Sequence, residues 1–237
     1  MTAAQPQPAS GADPAAMIAF LRRLLARVLA PAGMQWLDGE IERQRTSEDE
    51  RRLGIALGMV ARKVGRIDLA PPPDEIAAAG KLRPRWQPEL WGTDEAARVA
   101  LVLATYRDDD IVFAARVDRL CATGELNEQV AYLKGLAIFP ASRALHDRAR
   151  EAVRSSIGSV FEAIACGNPY PFDYFDESAW NQMVVKCVFS GLPIESIVGL
   201  RERRNAELIA MLGDLVSERT AAGRPTPDAV HRYIAAG

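Results

Sequence analysis

SEDERRLGIALGMVARKVG, residues 47–65, decides the fold class. Ser47 followed by Glu50 is a capping-box pattern, Leu53, Ala56, Leu57 and Val60 recur at helical spacing, and Gly65 supplies a stop. Gly54 and Gly58 cost this helix roughly 1 kcal/mol each relative to alanine, and they read as places where another helix comes close. The signature repeats outward. Upstream, Ile18, Leu21, Leu25, Val28 and Leu29 line one side of a helix from Pro14 to about Ala30, with Arg22, Arg23 and Arg27 largely opposite; a second helix covers Met34 to Arg45. Downstream, helices are predicted from Thr93 as cap to Tyr106, from Asp108 to Gly124, and on to about Leu136. A long one is predicted from Ser142 to Cys166, then one from Asp176 to Ser190, one from Glu202 to Ala222, and a last one started by Thr226 and Pro227. The 176–190 helix is apolar round most of its circumference, which predicts a place in the middle of the molecule.

No stretch alternates at period two, and no glycine-rich hairpin turn separates β-branched runs. The expectation is an all-α protein of stacked antiparallel helical hairpins, between a bundle and an α-α superhelix, with no strict repeat legible. Residues 1–13, rich in Ala, Pro, Gln, Ser and Gly, read as a disordered leader, and 14–237 as one helical domain. Within it, residues 66–92 form a long Pro/Trp-rich connection carrying Trp86 and Trp91, with one short helix at Asp74–Ala79. Pro193–Leu200 reads as a short helix or turn.

The 237 residues suffice for a single core. Hydrophobic residues make up 49% and charged residues 25%, which fits a folded globular chain. The 29 basic and 31 acidic side chains leave a net charge of -2 with no basic stripe, so nucleic acid is not expected as a partner. Cys121, Cys166 and Cys187 are odd in number and widely spaced, which argues against a disulfide framework and for a reducing compartment. With only His146 and His231 beside them, no zinc spacing exists and no metal is expected. The leader lacks a basic signal-peptide start, and no run reaches the ~18 apolar residues of a membrane span. The location read from this is cytoplasmic. The basic first helix would allow peripheral membrane contact, although packing onto the domain is the simpler reading.

No phosphate-binding loop, dinucleotide fingerprint or nucleophile elbow is present, so no cofactor is expected. Asp108, Asp109 and Asp110 are contiguous with no facing cluster and suit a first helical turn better than a magnesium site. On the wheel of the 142–166 helix, Ser155, Gly158, Ser159, Glu162 and Cys166 share one narrow face, opposite Val153, Ile157, Val160 and Ile164. Asn168, Tyr170, Asp173 and Tyr174 follow on a proline-stiffened turn, and the next helix carries Asn181, Gln182 and Lys186. A buried lysine or asparagine needs a partner. Glu162 with Lys186 is the expected pair, either stabilising a helix junction or lining a pocket.

The stretch from Ser159 to Pro193, SVFEAIACGNPYPFDYFDESAWNQMVVKCVFSGLP, resembles the most recognisable segment of the EboA family. The likeness is carried by Ser159–Ala165, Asn168–Pro171, Tyr174 and Phe175, Ala179–Val184, and Lys186. Gly199 and Leu200, Asn205, and Glu218 to Arg224 extend it, while the first 140 residues resemble the family in helical pattern alone. Arg201 stands where members commonly have aspartate, and Ser217 where they commonly have histidine. The resemblance implies a product of a small gene cluster that includes a UbiA-like prenyltransferase. That cluster is associated with making or delivering a prenylated secondary metabolite and, in cyanobacteria, with moving a pigment precursor toward the periplasm.

The expected function is a non-catalytic helical scaffold that binds a pathway metabolite or other proteins of the cluster, using Glu162, Asn168, Tyr170, Asn181, Gln182 and Lys186. The alternative is a small-molecule enzyme. There Glu162 would be acid or base and Lys186 would stabilise charge, while Asn168, Tyr170, Asn181 and Gln182 orient the substrate.

Overall fold

The structure, a computed structural model, describes residues 13–236. The chain runs α1 (Pro14–Ala26), α2 (Pro31–Thr46), α3 (Glu50–Val64), α4 (Pro73–Leu82), α5 (Thr93–Leu103), α6 (Asp110–Thr123) and α7 (Leu126–Gly135). It continues through α8 (His146–Arg154), α9 (Gly158–Ala165), α10 (Tyr170–Tyr174), α11 (Glu177–Phe189), α12 (Ala206–Ala221) and α13 (Asp228–Ala235). Single 3₁₀ turns stand at Pro88–Leu90 and Ile194–Ser196. Among the described residues there is no strand, only an isolated bridge between Asp68 and Gly92. The fold is all-α and bundle-like.

Short acidic or amide side chains begin five of these helices. Asp13 accepts from the Ala15 and Ala16 amides, Asp49 from Arg52, Asp109 from Ile111 and Val112, Asp176 from Ala179, and Asn205 from Leu208. Asp109 and its neighbours are thus a helix start. In α3 the cap falls two residues later than the pattern predicts, because the Ser47 hydroxyl is taken by the Asp49 amide at 3.1 Å. Gly54 and Gly58 are exposed on α3, with open space where a Cβ would stand, so no helix approaches there. The predicted leader lies outside the described residues except for Asp13.

The centre is α5, not the 176–190 helix. Ten of its eleven residues are buried, and α1, α2, α3 and α7 pack around it. Its alanines let these neighbours come close, and two of its buried charges pair within the helix: Arg98 donates to Asp94 at 2.7 Å one turn back. The apolar side of α1 is buried against α5, and Arg22 and Arg23 pair with Asp38 and Glu75. The 66–92 connection is anchored rather than loose. Trp86 and Trp91 are buried edge to face, 5.5 Å apart, and α4 is longer than the six residues predicted for it. Thr93 does not cap α5. Its hydroxyl donates to the Gly65 carbonyl at the end of α3, and Gly92 precedes the helix.

The predicted long helix from Ser142 to Cys166 is broken into α8 and α9. Ser155 turns extended, and its hydroxyl accepts the Ile157 amide at 3.1 Å, a local bond that competes with the helical ladder. The wheel drawn across it therefore fails: Ile157, placed on the apolar side, is 48% exposed. Beyond α7 the remainder stacks outward, α9 on α7, α11 on α9, α12 on α11 and α13 on α12. No helix among the described residues is long and apolar enough to cross a membrane.

Candidate functional site

The six predicted site residues separate into two kinds. Four are absorbed into the architecture. Lys186, on α11, points its ammonium at the end of α8, donating to the Val153 carbonyl at 2.6 Å and the Ser155 carbonyl at 2.7 Å, and it lies 4.4 Å from the centre of the Phe161 ring. A cation there satisfies the carbonyls that the helix break leaves free and opposes the negative end of the helix dipole. Burial draws its pKa below the ordinary lysine value. Asn168 is buried and saturated: its amide nitrogen donates to the Leu133 and Ala163 carbonyls, and its oxygen accepts the Tyr170 amide, all at 3.0 Å. Tyr170 is fully buried, donates to the Ser142 carbonyl, and has its pKa raised by burial. Asn181 exchanges hydrogen bonds with Asn205, the cap of α12.

The other two are exposed. Glu162 makes no hydrogen bond or ion pair among the described residues, and Gln182 donates only to Ser178 one turn away at 3.3 Å. The expected Glu162–Lys186 pair does not form, because the lysine is held by α8 while the carboxylate faces solvent. Lys186, Asn168 and Asn181 thus tie α8, α9, α11 and α12 together beside their apolar packing.

A cleft of about 840 Å³ lies further along the chain, between α13 and the segment 194–204. Its apolar side is Ile194, Ile197, Leu200, Ala229 and the ring of Tyr233, and its charged residues are Glu195, Arg201, Glu202, Arg204 and Arg232. Three fastenings set its shape. The Tyr233 hydroxyl donates to the Leu200 carbonyl at 3.1 Å across the floor, and burial pushes that phenol up to about 12. Arg204 donates to the Tyr233 and Ile234 carbonyls, closing the C-terminal end of α13. Gly199, at φ +77°, lies so close to Phe172 that an added Cβ would stand 1.9 Å from its ring. Arg203, beside it, covers the Trp180 ring at 4.7 Å and donates to the Pro171 and Phe172 carbonyls, so the turn is clamped to the core.

Two smaller cavities, of about 400 and 410 Å³, lie beside the α8–α9 break and at the start of α1. None of the six predicted residues lines the cleft or these two smaller cavities. Among the described residues, no three His, Cys, Asp or Glu side chains gather in a way that could hold a metal ion. The cleft was not read from the sequence. Its available signal was the density of charge in Arg201-Glu202-Arg203-Arg204 directly after a Gly-Leu turn, facing a last helix whose Val230 and Tyr233 are its buried side.

A family model described as "Metabolite traffic protein EboA" matches residues 17–235. The chain belongs to the EboA family. The match extends the likeness from the Ser159–Arg224 region back into α1 and on to the end of α13. No curated protein and no solved structure matches the chain.

Proposed function

We propose that this EboA chain is a non-catalytic binding protein of metabolite traffic, and that it holds a small molecule in the cleft between α13 and the 194–204 segment. The observation that carries the reading is the cleft: about 840 Å³, within the range of small-molecule sites, with an apolar side and arginines among its polar residues. The family description, a metabolite traffic protein, supports the same direction. The likeness to EboA adds a setting, a gene cluster for a prenylated secondary metabolite, with the other cluster proteins as partners that deliver or collect the cargo. Three free cysteines suit a reducing compartment such as the cytoplasm. An enzyme built on Glu162 and Lys186 has little support, since the two do not face each other and neither lines the cleft.

The test is to express the chain together with its cluster, purify it, and identify extracted small molecules by mass spectrometry. Wild type is compared with Ala229→Trp, which fills the cleft from a half-buried position, and with Glu162→Gln. The expected result is a bound compound present in wild type and Glu162→Gln and absent from a folded Ala229→Trp. A compound retained by Ala229→Trp, or none bound to wild type, overturns the reading.

A further inference from the structure

Charge inside the cleft is uneven. Three arginines and two glutamates line it, but they are not equivalent. Glu202 is drawn to Arg85 at 3.6 Å, outside the cleft lining, and Glu195 to Arg232 at 3.8 Å. Arg204 directs its N–H groups at the Tyr233 and Ile234 carbonyls. That arrangement masks the negative end of α13, which would otherwise repel an anion at this rim. The exposed Arg201 side chain is left with no hydrogen bond and no acidic partner among the described residues, in the lining of a cleft whose wall is Ile194, Ile197, Leu200 and Ala229. This local positive excess stands on a chain whose net charge is -2.

Resting on the cleft as the binding site, we infer that its ligand is an amphipathic organic anion, with a carboxylate or phosphate head at Arg201 and an apolar tail along Ile194, Ile197, Leu200 and Ala229. The planar guanidinium offers parallel donors that match either oxyanion. An alkyl chain laid on the wall gains about 0.8 kcal/mol per methylene removed from water, which gives the tail its share of the affinity. A cationic head would be repelled by the unpaired arginine, and a neutral head could accept an N–H but would lack the charge attraction. Of the two glutamates that would oppose an anion, each already has an arginine beside it.

The experiment is isothermal titration calorimetry of the full chain with four ten-carbon probes below their micelle concentrations: decanoate, decyl phosphate, decanol and decyltrimethylammonium. Wild type, Arg201→Glu and Ala229→Trp are compared, with folding verified by circular dichroism. At least one anionic probe is expected to bind roughly tenfold tighter than decanol, the worth of one charge-assisted hydrogen bond. That advantage is expected to vanish in Arg201→Glu, and all binding in Ala229→Trp. The tighter of the two anions identifies the head group. Equal binding of decanol and the anions, or an unchanged Arg201→Glu, overturns the anion inference and leaves the cleft standing. Absence of binding by every probe, or binding that Ala229→Trp does not affect, overturns both.

Discussion

Lys186 holds two carbonyl oxygens and the face of Phe161 at once, so removing its ammonium leaves the end of α8 open. Lys186→Met should cost about 1–3 kcal/mol in urea unfolding, the range for stranding buried acceptors. Glu162→Gln, on exposed surface, should stay within about 0.5 kcal/mol of wild type. Equal losses in the two variants would mean that the carboxylate has a partner after all. Cysteine chemistry gives a second expectation. The Cys166 thiol is lowered by the hydrogen bond from Cys187, with Ser196 adding to it, whereas Cys121 is pushed up to about 12 by burial and Cys187 is raised by its bond to Cys166. The thiolate is the nucleophile, and a lowered pKa makes it available at lower pH. Iodoacetamide should therefore label half-buried Cys166 first, with a rate midpoint below the ordinary 9.0, and Cys187→Ala, which removes the donor, should move that midpoint upward. Uniform labelling of all three in the native protein would contradict this. Asn168, Asn181 and Lys186 were legible from the sequence as residues needing partners if buried. That the partners are main-chain atoms and a helix cap was not, because carbonyl acceptors carry no residue identity.

Among the elements, the cap residues and stop signals placed most helix ends to within a few positions, since those signals are local. The break between α8 and α9 is only half local. The Ser155 hydroxyl that takes the Ile157 amide lies within the segment, but the lysine that takes the freed carbonyls lies some thirty residues further on, outside any window on 142–166. The turn carrying Gly199 is equally dependent on distant packing. An alanine there would need a left-handed backbone, costing roughly 1–2 kcal/mol, and would also collide with Phe172. Gly199→Ala should lose about 2 kcal/mol or more and widen or close the cleft. Gly54→Ala, on the open face of helix α3, should gain about 0.5–1 kcal/mol. Urea denaturation of the two variants side by side checks both signs, and a shared sign would refute the account.

For the molecule as a whole, an all-α class was readable from periodicity alone, but its centre was not. The 176–190 helix has the more continuous apolar surface, whereas α5 carries Asp94, Glu95 and Arg98, and it tolerates the middle because Asp94 and Arg98 pair within one turn and Glu95 pairs with Lys134. The cleft was invisible for a related reason. It is made where the last helix returns to a turn about thirty residues earlier, so neither half resembles a site by itself. The clamp that holds this turn has an optical consequence. Trp86 and Trp91 sit as a pair beside the start of α5, and Trp180 lies alone beneath the Arg203 guanidinium, against Phe172. Replacing the pair by phenylalanine would leave Trp180 as the buried emitter, with half-buried Trp36 as background. Its fluorescence would then report, without any added dye, on the packing of this turn against the core.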